Sequence, residues 1–76
     1  MDILQFYAEV ESLIVDLRAL NEAESAVEVE TAIRGGSASG EILGRLRVKL
    51  RAIADRTPSI ARRAGQLATW ADEALQ

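Results

Sequence analysis

The sequence predicts an all-α fold, a compact antiparallel bundle of three or four helices, and three observations predict it. Good helix formers dominate (Ala, Leu, Glu and Arg), with a single Pro and only 4% aromatic residues. Apolar residues recur at alternating spacings of three and four, the period of a helix with one buried face. No stretch shows the sustained strict alternation, bounded by turn residues, that marks a half-buried strand.

The first helix is expected from about Asp2 to about Leu20. Ile3, Phe6, Val10, Leu13, Leu17 and Leu20 stack into one stripe, which Tyr7 and Ile14 widen. Asp2 falls in the first turn, where a carboxylate complements the helix dipole. Asn21 opens Asn-Glu-Ala-Glu, a capping-box form with Glu24 in the fourth place, so a break is expected near Asn21. A second helix then runs from about Glu22 to Arg34, with thin apolar content: Ala23, Ala26, Val27, Val29 and Ile33. One continuous helix from Asp2 to Arg34 is the competing reading. Gly35-Gly36 supplies a left-handed terminator in either case, and Arg34 suits the last turn.

Ser37 or Ser39 caps the third helix, with Glu41 in its first turn. Leu43, Leu46, Leu50 and Ile53 form its core stripe, with Ile42 beside them. Thr57-Pro58 then reads as a cap followed by Pro at the first helical position of a fourth helix, Pro58 to about Leu75. Ile60, Ala64, Leu67, Ala71 and Ala74 are its inward face. Short connections force antiparallel neighbours, which gives the bundle.

The chain has 76 residues, 49% hydrophobic and 28% charged, which suits a single globular domain over residues 1–76. A chain this short buries only about 60–65% of its unfolded surface, so a homodimer is an open possibility. The acidic N-terminus lacks the positive region of a signal peptide, and no apolar run approaches the ~20 residues of a membrane span. A soluble cytoplasmic protein with no membrane partner is the expectation.

Composition argues against chemistry. There is no Cys and no His, which removes thiolates, the commonest general base and the commonest metal ligand. The serines have no His to activate them and no Ser-x-x-Lys arrangement. The carboxylates lack EF-hand or Glu-x-x-His spacing, so neither an enzyme, a metal site nor a cofactor is expected. Gly35, Gly36 and Gly40 lack the strand and Lys of a phosphate loop.

Charge is segregated along the chain. Residues 1–40 hold eight acids against Arg18 and Arg34, a net −6; residues 41–76 hold four acids against seven bases, a net +3. Glu22, Glu24, Glu28 and Glu30 crowd the weakly apolar second helix, and Glu24 and Glu28 repel one another at i, i+4. They are either a solvated face or a partner-binding surface that presents negative potential to a basic protein. Trp70, off the centre of its helix's apolar face, either closes the bundle edge or anchors that partner.

Arg45, Arg47, Lys49, Arg51 and Arg56 flank the third helix's stripe on both sides. Pairing with the acidic second helix is the ordinary expectation for them. Nucleic-acid contact by this helix is the sharper alternative, disfavoured by an overall acidic chain poor in aromatics. Val48 lies opposite the stripe, and one exposed valine needs no explanation.

The stretch GGSASGEILGRLRVKL, Gly35 to Leu50, resembles a segment of small helical immunity-type proteins from bacterial polymorphic and contact-dependent inhibition toxin systems. The likeness lies in a glycine-serine joint, then Glu-Ile-Leu, then Leu one turn on; Ala38 and Val48 depart from it. The resemblance implies a non-catalytic intracellular inhibitor that neutralises a toxin by binding it. An acidic face suits a basic toxin domain, a nuclease for example. A homo-oligomeric structural bundle and a nucleic-acid-binding regulator are the alternatives.

Overall fold

Asp2 starts the first helix by capping it, its carboxylate accepting the Gln5 N–H at 2.8 Å. The computed structural model describes residues 1–36 and 38–76. It contains α1 (Ile3–Ala19), α2 (Ala23–Arg34), α3 (Ser39–Arg56) and α4 (Ala61–Ala74), with a 3₁₀ turn at Pro58–Ile60 leading into α4. Among the described residues there is no strand, and the fold is the expected all-α bundle. Its radius of gyration is 11.1 Å, against about 11.4 Å for a compact chain of this length. Phe6, Val10, Leu13, Ile14 and Leu17 of α1 join Leu43, Leu46, Leu50 and Ile53 of α3 in one core. α2 adds Ala26, Val29 and Ala32, and α4 adds Ala64, Leu67, Ala68 and Ala71. α3 packs most extensively on α4, and α2 contacts both α3 and α1.

The break near Asn21 is real, so residues 2–34 form two helices, but its mechanism differs from a capping box. Asn21 has φ 61°, the left-handed conformation. The Asn21 N–H donates to Arg18 O at 3.1 Å and the Glu22 N–H to Leu17 O at 2.8 Å. Those two bonds make a Schellman motif that closes α1. Asn tolerates this conformation better than other non-glycine residues, so here it ends a helix where the sequence suggested it starts one. Glu22 takes the N-cap position of α2 without a side-chain bond.

Other joints differ in the same way. Gly35 ends α2 at φ −85°, and no described glycine has a positive φ, so the pair is not a left-handed terminator. Gly36 is required instead by proximity, since a Cβ there would lie 2.7 Å from Ile42 Cγ1. Ser39 is already inside α3 and Ala38 occupies its cap position, with no side-chain bond; Ser37 lies outside the described residues. Thr57 has the extended backbone that a following Pro imposes. Its buried hydroxyl finds no partner, so the side-chain cap expected there does not form. α4 proper begins at Ala61 because Pro58 opens a 3₁₀ turn first.

Four expected inward residues lie outside. Leu20 is exposed where the Asn21 turn carries it past the bundle, and Ala74 is exposed in the last turn of α4. Ala23 and Val27 are exposed too, because the buried side of α2 is narrow and is completed by Ser25, which accepts from Arg56 Nη2 at 3.1 Å.

Leu13 and Leu46 are fully buried. Truncating either to Ala should cost about 2–5 kcal/mol, comparable with the ~3–5 kcal/mol that a single small core supplies. Thermal melts followed by circular dichroism should show a large loss of melting temperature or no cooperative transition. Unchanged melting would refute the core. Asn21→Gly should keep or raise the melting temperature, whereas Asn21→Ala should lower stability by about 1 kcal/mol, because it forces Cβ into the left-handed region.

Candidate protein-binding groove

The α2–α3 pair is antiparallel, with Gly36 against Ile42 at the joint and Ser25 bonded to Arg56 at the far end. Both helices bury one narrow stripe, so their outer sides diverge and leave a groove of about 560 Å³. Val27, Glu28, Thr31 and Ala32 line it from α2; Gly44, Arg45, Val48 and Lys49 line it from α3. Val27 is 55% and Val48 60% exposed, one on each lip. Apolar side chains facing each other across a concavity gain more from being covered than the same residues scattered on a convex surface.

The acidic residues singled out in the sequence are not brought together as one face. Glu28 pairs with Arg56 at 3.1 Å, across to α3. Glu30 is held by Arg18 at 2.8 Å and Arg34 at 3.3 Å, toward α1. Glu22 is half-buried at the start of α2, and Glu24 is exposed on the outer side. Neither has an ion-pair partner among the described residues. The Glu24–Glu28 repulsion is therefore offset at Glu28 by an arginine. Trp70 lies elsewhere, on the seam between α1 and α4. Its ring stacks on Phe6 with centroids 4.6 Å apart, and its Nε1–H donates to Met1 O at 3.1 Å.

The basic residues of α3 split as their helical positions require, but only one meets the acidic helix. Arg56 reaches α2. Arg45 pairs within α3 to Glu41 at 2.9 Å, and Arg47 and Arg51 both hold Asp72 of α4. Lys49 alone of this group has no ion-pair partner among the described residues. Glu24 on α2 and both Lys49 and Asp55 on α3 are thus without an ion-pair partner among the described residues.

Comparison with protein-family models, curated proteins and solved structures finds no match. The reading of this surface therefore rests on its own chemistry. No group of three or more potential metal-ligating side chains converges among the described residues. No helix there is long and apolar enough to cross a membrane. Val48 is visible in the sequence as an apolar residue off its helix's buried stripe, whereas Val27 reads as one of the apolar residues of the second helix. What the sequence lacked was the packing of α2 beside α3 that brings both to one groove.

Asp72 shows the clearest electrostatic perturbation. Hydrogen bonds from Arg51 first, and from Arg47 next, hold its carboxyl below its ordinary value of 3.8. A carboxylate depressed on folding adds stability that is present above its unfolded pKa and is lost as pH falls through the folded one. Asp72→Asn should therefore lower the melting temperature at neutral pH. The gap from wild type should close as pH falls below the ordinary carboxylate value. A gap that persists undiminished at the acid end would place Asp72's contribution in packing, not charge.

Proposed function

We propose that this chain is a non-catalytic protein-binding module whose contact surface is the α2–α3 groove. The observation that carries the proposal is one concavity lined by an exposed valine from each helix, Val27 from α2 and Val48 from α3. An apolar centre rimmed by polar groups is the anatomy of a protein interface. Catalysis gains no support from a chain without His or Cys.

The immunity-type inhibitor implied by the Gly35–Leu50 resemblance is one form of this reading, with a basic toxin domain as partner. Glu24 supports it by offering an unpaired carboxylate at the rim. Glu28 and Glu30 contribute less than their number suggests, because arginines neutralise them. The apolar anchor is better placed at Val27 and Val48 than at Trp70, whose ring and N–H are both engaged within the bundle.

Val48→Lys is the decisive variant, since an exposed position tolerates substitution within about 0.5 kcal/mol. A tagged chain expressed in its native host should capture a partner that Val48→Lys fails to hold, while Trp70→Phe holds it. Replacing Glu24 by Gln should slow association and flatten its salt dependence, with little change from Glu30→Gln. A partner bound equally well by Val48→Lys would remove the groove from the function. A salt slope that responds to Glu30 as much as to Glu24 would restore the wider acidic face.

A further inference from the structure

We propose that the α1–α2 joint is a hinge through which two copies of this chain exchange their first helices. In the exchanged dimer Leu20, Asn21 and Glu22 become helical, and α1 and α2 fuse into one helix from Ile3 to Arg34. Each α1 then fills, in the other copy, the place it holds in its own.

That place is specified by contacts already on α1. Phe6, Val10, Leu13, Ile14 and Leu17 are buried in the core, and Arg18–Glu30, Glu11–Arg34 and Asp16–Arg63 fix the helix at its edges. Exchange remakes each of these between copies, so it asks for no new complementary face. The joint alone decides between the closed and exchanged forms.

The closed joint is held at a cost. Asn21 sits at φ 61°, a conformation that an L-residue adopts against a steric penalty. Glu22 caps α2 without a side-chain bond, and the N–H groups of Ala23, Glu24 and Ser25 have no acceptor among the described residues. Straightening the joint removes the left-handed residue. It also gives those three donors the carbonyls one turn back, those of Ala19, Leu20 and Asn21. Short hinges under strain favour such exchange. The other joints cannot straighten in this way. Gly35 and Gly36 weaken a helix between α2 and α3, and Pro58 lacks a donor and would clash with the Ala54 carbonyl between α3 and α4.

Length makes the second copy obligatory. A fused helix runs about 48 Å, against a longest dimension of 31 Å for the molecule. Once the joint is straight, α1 cannot return to its own core. Its five buried residues and the core they leave then stay in water unless another copy supplies the missing helix.

The test refolds the full chain from guanidinium at low concentration and at about 1 mM, followed by sedimentation equilibrium, with circular dichroism confirming folding. Wild type should be monomeric when refolded dilute and partly dimeric when refolded concentrated. Asn21→Ala should favour the dimer by about tenfold per joint, hence about a hundredfold per dimer, because Ala resists the left-handed turn and favours helix. Asn21→Gly should shift the balance back to monomer, and it carries the test against wild type if the Ala variant fails to fold. Arg18→Glu and Glu30→Arg each set like charges where α1 meets α2. Refolded together they should form mixed dimers, in which both contacts regain opposite charges. Trp70 emission should match the monomer's, since Phe6 and Met1 return to it from the other copy. Wild type and Asn21→Ala both monomeric at about 1 mM overturn the proposal. So does a dimer that ignores residue 21, a mixture without mixed dimers, or a dimer whose Trp70 emission shows α1 displaced.

Discussion

The apposition of α3's branched aliphatic stripe with the alanines of α4 sets the spacing from which the other contacts follow. Leu43, Leu46, Leu50 and Ile53 face a helix whose inward side is Ala64, Leu67, Ala68 and Ala71. Small side chains let helix axes approach toward the short end of the usual range of roughly 8–10 Å. The larger residues of α1 close the core from the other side. Phe6, Leu13, Ile14 and Leu17 fill it, leaving at most 1% of each exposed. The arrangement is lopsided. α3 meets α4 broadly, whereas α1 meets α4 along a narrow seam. The same lopsidedness leaves α2 attached by a thin alanine-and-valine stripe, with its outer residues free of the core.

Electrostatics then fixes what burial leaves free to slide. Arg18–Glu30 and Arg34–Glu11 join α1 to α2, Arg56–Glu28 joins α2 to α3, Arg47 and Arg51 with Asp72 join α3 to α4, and Arg63–Asp16 joins α4 back to α1. The pairs form a closed circuit around the bundle. Exposed pairs contribute little stability one by one, with a median of about 0–1 kcal/mol each. Their effect is on register: α2 displaced by one turn along α1 would set Arg34 beside Arg18 in place of Glu30. Only Arg56–Glu28 and Arg63–Asp16 join the acidic half of the chain to the basic half; the remaining links of the circuit lie within one half.

Sequence reading went furthest where a single periodicity decides the outcome. The stripes of α1 and α3 were legible because burial of one face dominates a long helix, and Leu13 or Leu46 has nowhere else to go. Joints were less legible, since several local solutions compete within a fraction of a kcal/mol. Asn21 fits an N-cap and a left-handed C-cap equally well as a letter; the Leu17 and Arg18 carbonyls select the second. Gly35 ends its helix without the unusual φ that glycine suggests, because Gly36 answers to Ile42, six residues on. Pairing partners such as Asp72 were not legible at all, for they depend on which helix lies beside which. Val27 and Val48 were each ordinary alone, and they acquired meaning only as neighbours.

The placement of Trp70 has an optical consequence. It is the sole tryptophan, and it rests on Phe6 at the seam where α1 meets α4. Its indole N–H is bound to the Met1 carbonyl, so both its stacking and its polarity depend on α1 lying in place. Emission from this one residue is therefore a local gauge of closure at the weakest junction of the bundle. It lies apart from the groove on α2 and α3. A change of colour or anisotropy reports the detachment of the first helix, while events in the groove leave the indole's immediate surroundings as they are. The molecule carries a built-in lamp at the seam of α1 and α4 and none at the groove of α2 and α3.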